Sequence, residues 1–424
     1  MRVSYNPMNY QEAIQYIHQT PKFARELGNR MLEKLLLYLD NPQKNLWIVH
    51  IAGTNGKGST AAMLAEILTH AGYRCGLYTS PYIERFNERI RVNGGEIPDN
   101  ELARIITRLK DTIERYDAPV SEFALDTAAA FCWFREQKCD VVVLETGLGG
   151  RLDATNVITK PLATVLTAIG MDHMQYLGDT LEKITAEKCG ILKENCPAVS
   201  YPLQEEAVFD VIKNHAREKN APLFVAEIPK WREGRMEYRG KTYSLGLEGE
   251  FQSYNAATVL ESVAVLRKQG IEISETAVVS GLIAAKNMAR FERFGSNIIL
   301  DGGHNVPAAK ALVQSLQKLD CPVYFCIAMM EDKDYEGYLR ELVPIAKGAV
   351  VTQVSMPRCA SVEKLTKILE KYQIPTETEH NPFAAIEKAK VMAGSHGCVC
   401  ICGSLYLAGQ VRPYLSEMQN DGQC

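Results

Sequence analysis

The sequence lacks the features that would mark a membrane, secreted or nucleic-acid-binding protein. None of its apolar runs approaches the length of a membrane span. The first residues, MRVSYNPMNYQEAIQ, contain no apolar h-region, which predicts no secretory signal and a cytoplasmic protein. The net charge of -4 gives no electrostatic reason to expect nucleic acid or an anionic membrane as a partner.

Closely paired cysteines are also missing, although the chain has 12 cysteines. No Cys-x-x-Cys pair occurs, and scattered thiols in a chain without a signal peptide are expected to be reduced. The one cluster, CVCIC, places Cys398, Cys400 and Cys402 on one face of a predicted strand. No histidine or further cysteine is spaced to complete a zinc site, so we interpret the cluster as part of a buried strand.

The chain is long enough for two domains, because 424 residues exceed what one compact core usually holds. Short β-rich runs (NLWIVHIAG, CGLYTS, DVVVLETG, LATVLTAIGMDH) alternate with helical stretches (GSTAAMLAEILTHAG, DTAAAFCWFREQKC, TLEKITAEKCGILK). This alternation predicts an α/β fold with a mostly parallel sheet. Near-continuous apolar strands indicate that the sheet is covered on both faces.

The character of the sequence changes in its second half. MEYRGKTYSLGLEG predicts a small antiparallel appendage, and SYNAATVLESVAVLRKQG predicts a helix. A new series follows (SNIILDGGHN, PVYFCIAMM, GAVVTQVS, HGCVCICGS), which predicts a second α/β domain with its first strand near residue 297. We therefore predict domains at residues 1–288 and 289–424.

A glycine-rich loop, HIAGTNGKGST, lies between the first predicted strand and the first long helix. Its glycines allow backbone N–H groups to point at phosphates, and the helix N-terminus adds its positive end. Lys57 is placed to reach the terminal phosphates. The loop departs from the usual nucleotide loop because Gly58 separates Lys57 from Ser59. The alternative is a glycine-rich turn with a solvated lysine.

Three candidate magnesium ligands follow three predicted strands: Ser80, Glu145 and His173. In an open α/β sheet the carboxyl ends of the strands line the binding crevice, and magnesium prefers oxygen ligands. Each residue alone has an ordinary explanation, since a lone glutamate can cap a helix and a lone histidine is more often structural. Their shared position after strands favours the metal interpretation.

Two further features of the first domain leave alternatives open. The loop TGLGGRLDATN has three glycines and Arg151, which suggests close backbone approach to a ligand, or an ordinary connection with an exposed arginine. TAEKCGILK places Lys188 in an apolar part of a helix, where it either enters the site or extends along the surface to solvent.

The second domain also carries polar residues after its strands. The strand of NIILDGGHN is followed by Asp301, His304 and Asn305, and that of the next motif, MMEDKDY, by Asp332, Lys333 and Asp334. Arg290 lies between the domains in sequence and is placed to reach a phosphate. Each domain by itself looks like half of a site.

These motifs together resemble the folylpolyglutamate synthase and dihydrofolate synthase family of the Mur ligase superfamily. The resemblance runs from about residue 10 to 415 through HIAGTNGKGST, TSPYIERFNERIRVNG, VVVLETGLGGRLDATNV, MDHMQYLGDTLEKITAEKCGILK, FQSYNAATVL, LDGGHN, EDKDY and CGSLYLAGQVR. It implies a P-loop ATPase-type, doubly wound sheet domain followed by a smaller Rossmann-like α/β domain. The interposed Gly58 is typical of this family.

The resemblance implies an ATP-dependent ligase. ATP phosphorylates a carboxylate of the pterin substrate, a folate or dihydropteroate, and the amino group of L-glutamate attacks the acyl phosphate. The family suggests a monomer. The implied ATP-binding residues are Gly53, Thr54, Asn55, Gly56, Lys57, Gly58, Ser59, Thr60, Asn255, Arg290 and Asp301. The implied ligands of two magnesium ions are Ser80, Glu145, His173 and a carbamylated Lys188. The implied catalytic residues are Lys57, Lys188 and His304.

The chain departs from the family pattern at a few positions. Phe251 stands where histidine is usual, Ala124 where a glutamate often follows Phe123, and Gly303 where alanine is usual, and the glycine before Arg290 is missing. None of these positions lies in the phosphate loop or among the implied metal ligands, so the departures leave the reaction class intact. The segment ARELGNRMLEKLL resembles one that helps to bind the pterin.

Three alternative functions remain open from the sequence. Another Mur-type ligase would act on a peptidoglycan precursor or a poly-amino acid, but TSPYIERFNERI favours the folate branch. A P-loop NTPase or kinase without ligase activity would not need LDGGHN and EDKDY. A non-catalytic relative would not need Lys57, Glu145, His173 and Lys188 intact.

Overall fold

A computed structural model of the chain describes residues 7–22 and 28–422. The pterin-segment motif ARELGNRMLEKLL lies partly outside the described residues. The chain divides into two compact units. The first contains the residues up to Ser244 and Tyr254–Ala285, and the second contains Leu245–Ser253 and the residues from Lys286 onward. The boundary between the units therefore lies after residue 285, three residues before the predicted boundary after residue 288. Residues 245–253 belong to the second unit.

The first unit carries most of the secondary structure. Its strands are β1 (Trp47–Ala52), β2 (Cys75–Tyr78), β3 (Ile90–Val92), β4 (Gly95–Glu96), β5 (Val141–Glu145), β6 (Ala163–Leu166), β7 (Ala198–Ser200), β8 (Leu223–Val225), β9 (Lys230–Arg232), β10 (Arg235–Tyr238) and β11 (Lys241–Tyr243). Its helices are α1 (Tyr10–Gln19), α2 (Arg30–Tyr38), α3 (Lys57–His70), α4 (Asp99–Tyr116), α5 (Glu122–Glu136), α6 (Met174–Leu177), α7 (Leu181–Cys189), α8 (Glu206–Glu218) and α10 (Glu275–Ala284), and α9 (Phe251–Lys268) begins in 245–253.

An eight-stranded sheet in the order β4-β3-β2-β5-β1-β6-β7-β8 forms the centre of the first unit. Six neighbouring strands pair in parallel, in the order β2, β5, β1, β6, β7 and β8. Strands β3 and β4 add an antiparallel edge beside β2. Residues of β1 and β5 are almost all buried because helices cover both faces, as their continuous apolar sequence predicts. The fold class predicted from the sequence is confirmed.

Helices pack on the sheet through apolar clusters of described residues. One of these clusters joins residues of α1, α2, α4 and α5, and a further one joins residues of α7 and α8. Helix α3 packs very closely on α10, since a Cβ at Gly281 would lie 2.5 Å from the Cα of Ile67. Strands β9, β10 and β11 form the small antiparallel sheet that the sequence predicts.

The second unit has a six-stranded sheet in the order β12-β13-β17-β14-β15-β16. Its strands are β12 (Glu292–Phe294), β13 (Ile298–Leu300), β14 (Val323–Ile327), β15 (Ala346–Val351), β16 (Thr376–Thr378) and β17 (Cys398–Cys402). Its helices are α11 (Val306–Leu316), α12 (Tyr335–Leu342), α13 (Val362–Lys371), α14 (Pro382–Ala393) and α15 (Leu405–Asn420).

The second sheet corrects one expectation and confirms another. The first strand of this sheet is β12, not the strand near residue 297, and it pairs antiparallel with β13. A three-residue edge strand with the polar sequence ERF has too little alternation to be recognised. The CVCIC segment forms β17, which is fully buried between β13 and β14, as predicted. In the described part of the chain no helix has both the length and the apolarity needed to cross a membrane.

Candidate active site

The predicted site residues of the first unit follow four neighbouring strands. The sheet order places β2, β5, β1 and β6 side by side and parallel. Ser80 follows β2, Glu145 ends β5, the glycine-rich loop follows β1, and His173 comes after β6. From β1 the chain continues to β2 on one side of the sheet, and from β5 it crosses to β6 on the other side of β1. Ligands bind at such a switch point in open α/β sheets.

The glycine-rich loop runs from Gly53 to the first turn of α3. Gly56 has a φ of +83°, a conformation that glycine adopts easily. A Cβ at Gly56 would lie 2.3 Å from Oδ1 of the buried Asn255. The structure thus brings Asn255, which the resemblance implies is an ATP-binding residue, next to this loop. Lys57, Gly58, Ser59 and Thr60 form the first turn of α3, and the positive end of a helix favours an anion at this position.

The loop is attached to the segment that follows β6. The N–H groups of Thr54 and Asn55 both donate to the carbonyl of Ala168, at 2.8 and 3.0 Å. The hydroxyl of Thr54 donates to the carbonyl of Gly170 at 3.0 Å and accepts from its N–H at 3.1 Å. These bonds hold the loop in place from the side of the segment that leads to His173.

Two lysines bind carbonyl groups of the same loop. Lys57 Nζ donates to the carbonyl of Thr54 at 3.2 Å, and Lys188 Nζ donates to that of Gly53 at 2.7 Å. Lys188 is only 4% exposed, which excludes the surface alternative. Burial and, to a smaller extent, the charge of Lys57 lower the pKa of Lys188 to about 7, against the opposing charges of two aspartates.

Glu145 and Ser80 are direct neighbours. The backbone N–H of Ser80 donates to Glu145 Oε2 at 3.2 Å, and Glu145 is 3% exposed. His173 lies in a left-handed conformation at the start of α6, with its Nε2 3.9 Å from Asp172 Oδ2. In residues 7–22 and 28–422, no three His, Cys, Asp or Glu side chains are grouped closely enough to hold a metal ion. The predicted set has only two residues of these types, and its other ligands are a serine and a modified lysine.

The glycines of TGLGGRLDATN make room for protein atoms, which favours the alternative of an ordinary connection with an exposed arginine over close approach of a ligand. A Cβ at Gly147 would lie 2.5 Å from the ring of Phe123, and one at Gly150 would lie 2.7 Å from the carbonyl of Lys188. Arg151 donates from Nε and Nη2 to Glu187 Oε1 at 3.0 and 2.8 Å. The loop therefore packs on α7 beside Lys188.

Asp153 is a site residue that the sequence analysis did not single out. Its Oδ2 accepts the N–H groups of Gly147 and Leu148 at 2.9 and 2.8 Å. Asp153 is buried, so its carboxylate holds the start of this glycine loop just after Glu145. The sequence signal for Asp153 is an aspartate six residues after a glycine in a loop that follows a strand. This pattern is too common in proteins to identify a site residue.

In the second unit, Asp301 and His304 lie at the carboxyl end of β13. Asp301 accepts the N–H groups of Phe291 and Gly303 at 2.9 and 2.8 Å. Burial raises the pKa of Asp301, while the charge of Arg290 opposes the increase. His304 Nδ1 is 3.1 Å from the carbonyl of Gly302. Arg290 thus lies close enough to Asp301 for its charge to act on the carboxyl group, and His304 follows Asp301 in the same strand-end loop.

The other predicted strand-end residues of this unit have local contacts. Asn305 caps α11 by accepting the N–H of Ala308 at 3.0 Å, and Asp334 caps α12 by accepting that of Gly337 at 2.9 Å. Asp332 lies 3.7 Å from Arg358, and the N–H of Lys333 donates to a backbone carbonyl in the same turn.

Three departures from the family pattern have local contacts in the structure. Phe251 packs edge-on against Phe291, with ring centroids 6.5 Å apart. A Cβ at Gly303 would lie 2.7 Å from Asp301 Oδ1, so this chain has no room for alanine there without a shift. Ala124 is buried in the first turn of α5, and its N–H donates to the capping Ser121 at 3.4 Å.

The fold and this geometry define a class of protein. A parallel strand, a glycine-rich loop and a helix N-terminus with a lysine on the loop form a mononucleotide-binding α/β domain. Ser80 and Glu145, which follow the adjacent strands, carry oxygen atoms of the kind that magnesium prefers.

Comparison with known proteins places the chain within this class. Residues 51–263 match the Mur ligase middle domain, and residues 286–415 match the dihydrofolate synthetase C-terminal domain. The dihydrofolate synthase/folylpolyglutamate synthase of Bacillus subtilis (strain 168) is 35% identical over 96% of this chain and 99% of its own length.

Solved structures agree with this placement. Escherichia coli FolC in complex with DHPP and ADP is similar with a TM-score of 0.87 and 30% identity, over 97% of this chain and 99% of that one. The bifunctional Yersinia pestis enzyme complexed with AMPPNP and Mn has a TM-score of 0.85 at 30% identity, over 96% and 98% of the two chains. The chain belongs to the dihydrofolate synthase/folylpolyglutamate synthase family of ATP-dependent Mur-type ligases.

Proposed function

We propose that this protein joins L-glutamate to tetrahydrofolate and to dihydropteroate, with conversion of ATP to ADP and phosphate. The observation that carries the proposal is the buried Lys188, whose amine binds the carbonyl of Gly53 in the phosphate loop, next to a loop that begins at Glu145. A nucleotide loop needs no second buried lysine to bind phosphate, so a buried lysine on this loop favours a role in the reaction as well as in binding. Membership of the ligase family supports the same activity.

The reaction has two steps. An oxygen of the acceptor carboxylate attacks the γ-phosphorus of ATP, and the bond to ADP breaks. The amino nitrogen of glutamate then attacks the acyl carbon, phosphate leaves, and the nitrogen loses a proton. In the first step, the N–H groups at the start of α3 and the charge of Lys57 would neutralise the transferring phosphoryl group. An acyl phosphate hydrolyses easily, so the site must also exclude water.

Ser80, Glu145 and His173 would hold one magnesium ion. Ser80 and Glu145 are adjacent at the ends of neighbouring strands, and their oxygens suit a hard cation, so the residues fit the metal. A bound ion would supply positive charge to the phosphate oxygens. The Mn ion in the Yersinia pestis complex supports a divalent cation in this chain as well.

We also propose that Lys188 is carbamylated and would hold a second magnesium ion. Its neutral amine would attack the carbon of carbon dioxide and release one proton, which turns the neutral amine into an anionic carbamate with oxygen ligands. The amine is buried on a loop carbonyl and beside a second lysine, and its pKa of about 7 leaves much of it neutral near pH 7.

The second unit would contribute Arg290, Asp301 and His304 to the nucleotide and to catalysis. Their gathering at the end of β13 supports this assignment, which rests on the family resemblance. We further propose that the enzyme acts as a monomer. Light scattering at micromolar concentration tests this, and a mass that corresponds to more than one chain would contradict it.

The acceptor is tested by ATP-dependent incorporation of labelled L-glutamate, with dihydropteroate and tetrahydrofolate offered separately and products identified by mass. We expect both to gain glutamate. Product from one acceptor alone would overturn the dual specificity. If ATP is consumed and neither acceptor gains glutamate, the folate assignment is wrong, and peptidoglycan precursors or poly-amino acids become the acceptors to test.

The carbamate is tested with carbon-13-labelled bicarbonate and NMR. We expect a carbamate signal in the parent that Lys188→Ala abolishes together with most of the activity. Lys183→Ala is the matched control, because Lys183 is on the same helix and pairs with Asp179 at the surface. If Lys188→Ala keeps near-normal turnover at saturating magnesium, the proposed carbamate is wrong.

A further inference from the structure

The segment between Glu145 and Asp153 (residues 146–152) is called the glycine loop below and is distinct from the phosphate loop. Behind it, a chain of hydrogen bonds runs through the interior of the first unit. His50 Nε2 is 2.8 Å from the hydroxyl of Thr155, and this hydroxyl is 2.5 Å from Asp153 Oδ1. His50 lies on the central strand β1, and Thr155 is in the short 3-10 helix at Ala154–Val157. His50 and Thr155 are both fully buried, so solvent cannot replace either bond.

The direction of each hydrogen bond follows from the groups involved. Asp153 also accepts the N–H of Thr155 at 3.0 Å and those of two loop residues, so its carboxylate serves as acceptor throughout. The Thr155 hydroxyl therefore gives its single proton to Asp153 and accepts from His50. Nε2 of His50 must carry the proton. Burial lowers the pKa of His50 to about 3, which agrees with a neutral imidazole.

The same short helix also holds the far end of the loop. Asn156 Nδ2 donates to the carbonyls of Arg151 and Gly190 at 3.0 and 3.1 Å. The N–H of Arg151 in turn donates to the carbonyl of Glu187 at 2.8 Å, one residue before Lys188. Thus the loop is fixed at its start by Asp153 and at its end by helix α7.

We propose that His50 and Thr155 are positioning residues that set the glycine loop between Glu145 and Lys188. They act on the site through Asp153. Glu145 immediately precedes the loop, and Lys188 packs against Gly150, so a displaced loop moves both residues. The inference rests on the roles proposed above for Glu145 and Lys188.

The test uses Thr155→Val in the full-length enzyme, because valine keeps the shape and removes the hydroxyl. Loss of a group that orients the ligands of an active-site metal usually costs roughly 10–100-fold in activity or metal affinity. We expect a loss of this size in kcat and a higher magnesium requirement. The affinity for ADP should stay near that of the parent, because Thr54 and Asn55 hold the phosphate loop separately.

Two variants control for simple destabilisation. Thr155→Ser keeps the hydroxyl and should restore most of the activity. Thr164→Val is the matched control, since Thr164 is fully buried, pairs with His50 in the register of β1 and β6, and loses a hydroxyl bond to the carbonyl of Pro197. It should lower the thermal midpoint and leave kcat and the magnesium requirement unchanged.

Hydrogen–deuterium exchange over residues 146–152 gives a readout besides activity. Thr155→Val should accelerate exchange in this segment, and Thr164→Val should not. If Thr155→Val fails to fold, the pair His50→Gln and His50→Leu replaces it, because glutamine keeps an N–H donor and leucine does not. Equal kinetics and equal exchange in the donor-keeping and donor-lacking variants would overturn the proposal. A parent enzyme that forms no glutamyl product would instead refute the proposed function.

Discussion

Gly56→Ala provides a strict test of the phosphate loop. Gly56 has a φ of +83° directly before α3, and an added Cβ would meet Asn255 Oδ1 at 2.3 Å. Gly72, which follows the other end of α3, has a φ of +93° and open space around its Cβ position. Both substitutions therefore put alanine in a left-handed backbone conformation, but only the alanine at position 56 would place its Cβ against the side chain of Asn255.

The magnitudes follow from these two differences. A left-handed conformation costs an L-residue roughly 1–2 kcal/mol, which we expect for Gly72→Ala. Crowding in a packed interior adds about 1–3 kcal/mol at Gly56, because the buried Asn255 cannot turn freely into solvent. We therefore expect Gly56→Ala to lose about 2–5 kcal/mol of unfolding free energy. Alanine also lowers the conformational entropy of the unfolded chain. This effect is the same in both variants, so it cancels when their stabilities are compared.

The assay is thermal unfolding with and without ADP, followed by calorimetric titration with ADP. Because the chain has two compact units, the relevant transition is the one whose midpoint ADP raises. Gly56→Ala should lower this midpoint more than Gly72→Ala and should weaken ADP binding, and adding Asn255→Ala should recover part of the lost stability. If both glycine variants are equally stable and bind ADP like the parent, the contact between the loop and Asn255 is wrong.

Three other substitutions test the charge at a strand end, a buried carboxyl group of α5 and the contact of α3 with α10. Glu145→Gln should raise the magnesium concentration for half-maximal turnover roughly tenfold or more with little change in the thermal midpoint; an unchanged requirement would contradict its role. Burial, opposed by Arg89, raises the pKa of Asp126 to about 7 from 3.8, so the folded protein keeps a proton that the unfolded chain releases between these values. The stability of the parent therefore falls as pH rises through this window. In urea unfolding, the stability of Asp126→Asn relative to the parent should increase from about pH 5 to pH 8, and a difference that does not change with pH would refute the pKa shift. Gly281→Ala places a Cβ 2.5 Å from the backbone of Ile67 and should cost about 1–3 kcal/mol, whereas an unchanged midpoint would exclude such close packing.

The glycine loop shows a limit of sequence reasoning. Three glycines after a strand indicate that something approaches the backbone closely, but they do not identify what approaches. In the structure, Phe123 and helix α7 occupy the space, and Arg151 pairs with Glu187. The relevant contacts span 24 and 36 residues in the chain, and only the fold brings these segments together.

The burial of Lys188 could also not be predicted from its local sequence. Its helix has apolar neighbours, and this local pattern is compatible with a lysine that extends to solvent. The packing of α7 turns it inward instead, where its amine meets the carbonyl of Gly53, 135 residues away in the chain. A burial of this kind depends on which face of the helix meets the sheet.

The sequence by itself determined the alternation of strands and helices, the nucleotide loop and the family, because these depend on local periodicity, on glycines at fixed spacing and on ordered motifs. It also placed Ser80, Glu145 and His173 after strands. Only the tertiary structure decided that β2, β5, β1 and β6 are neighbours, since strand order depends on long-range pairing. Long-range packing likewise decided that Lys188 is buried and that Asp153, Thr155 and His50 form one chain of hydrogen bonds behind the site.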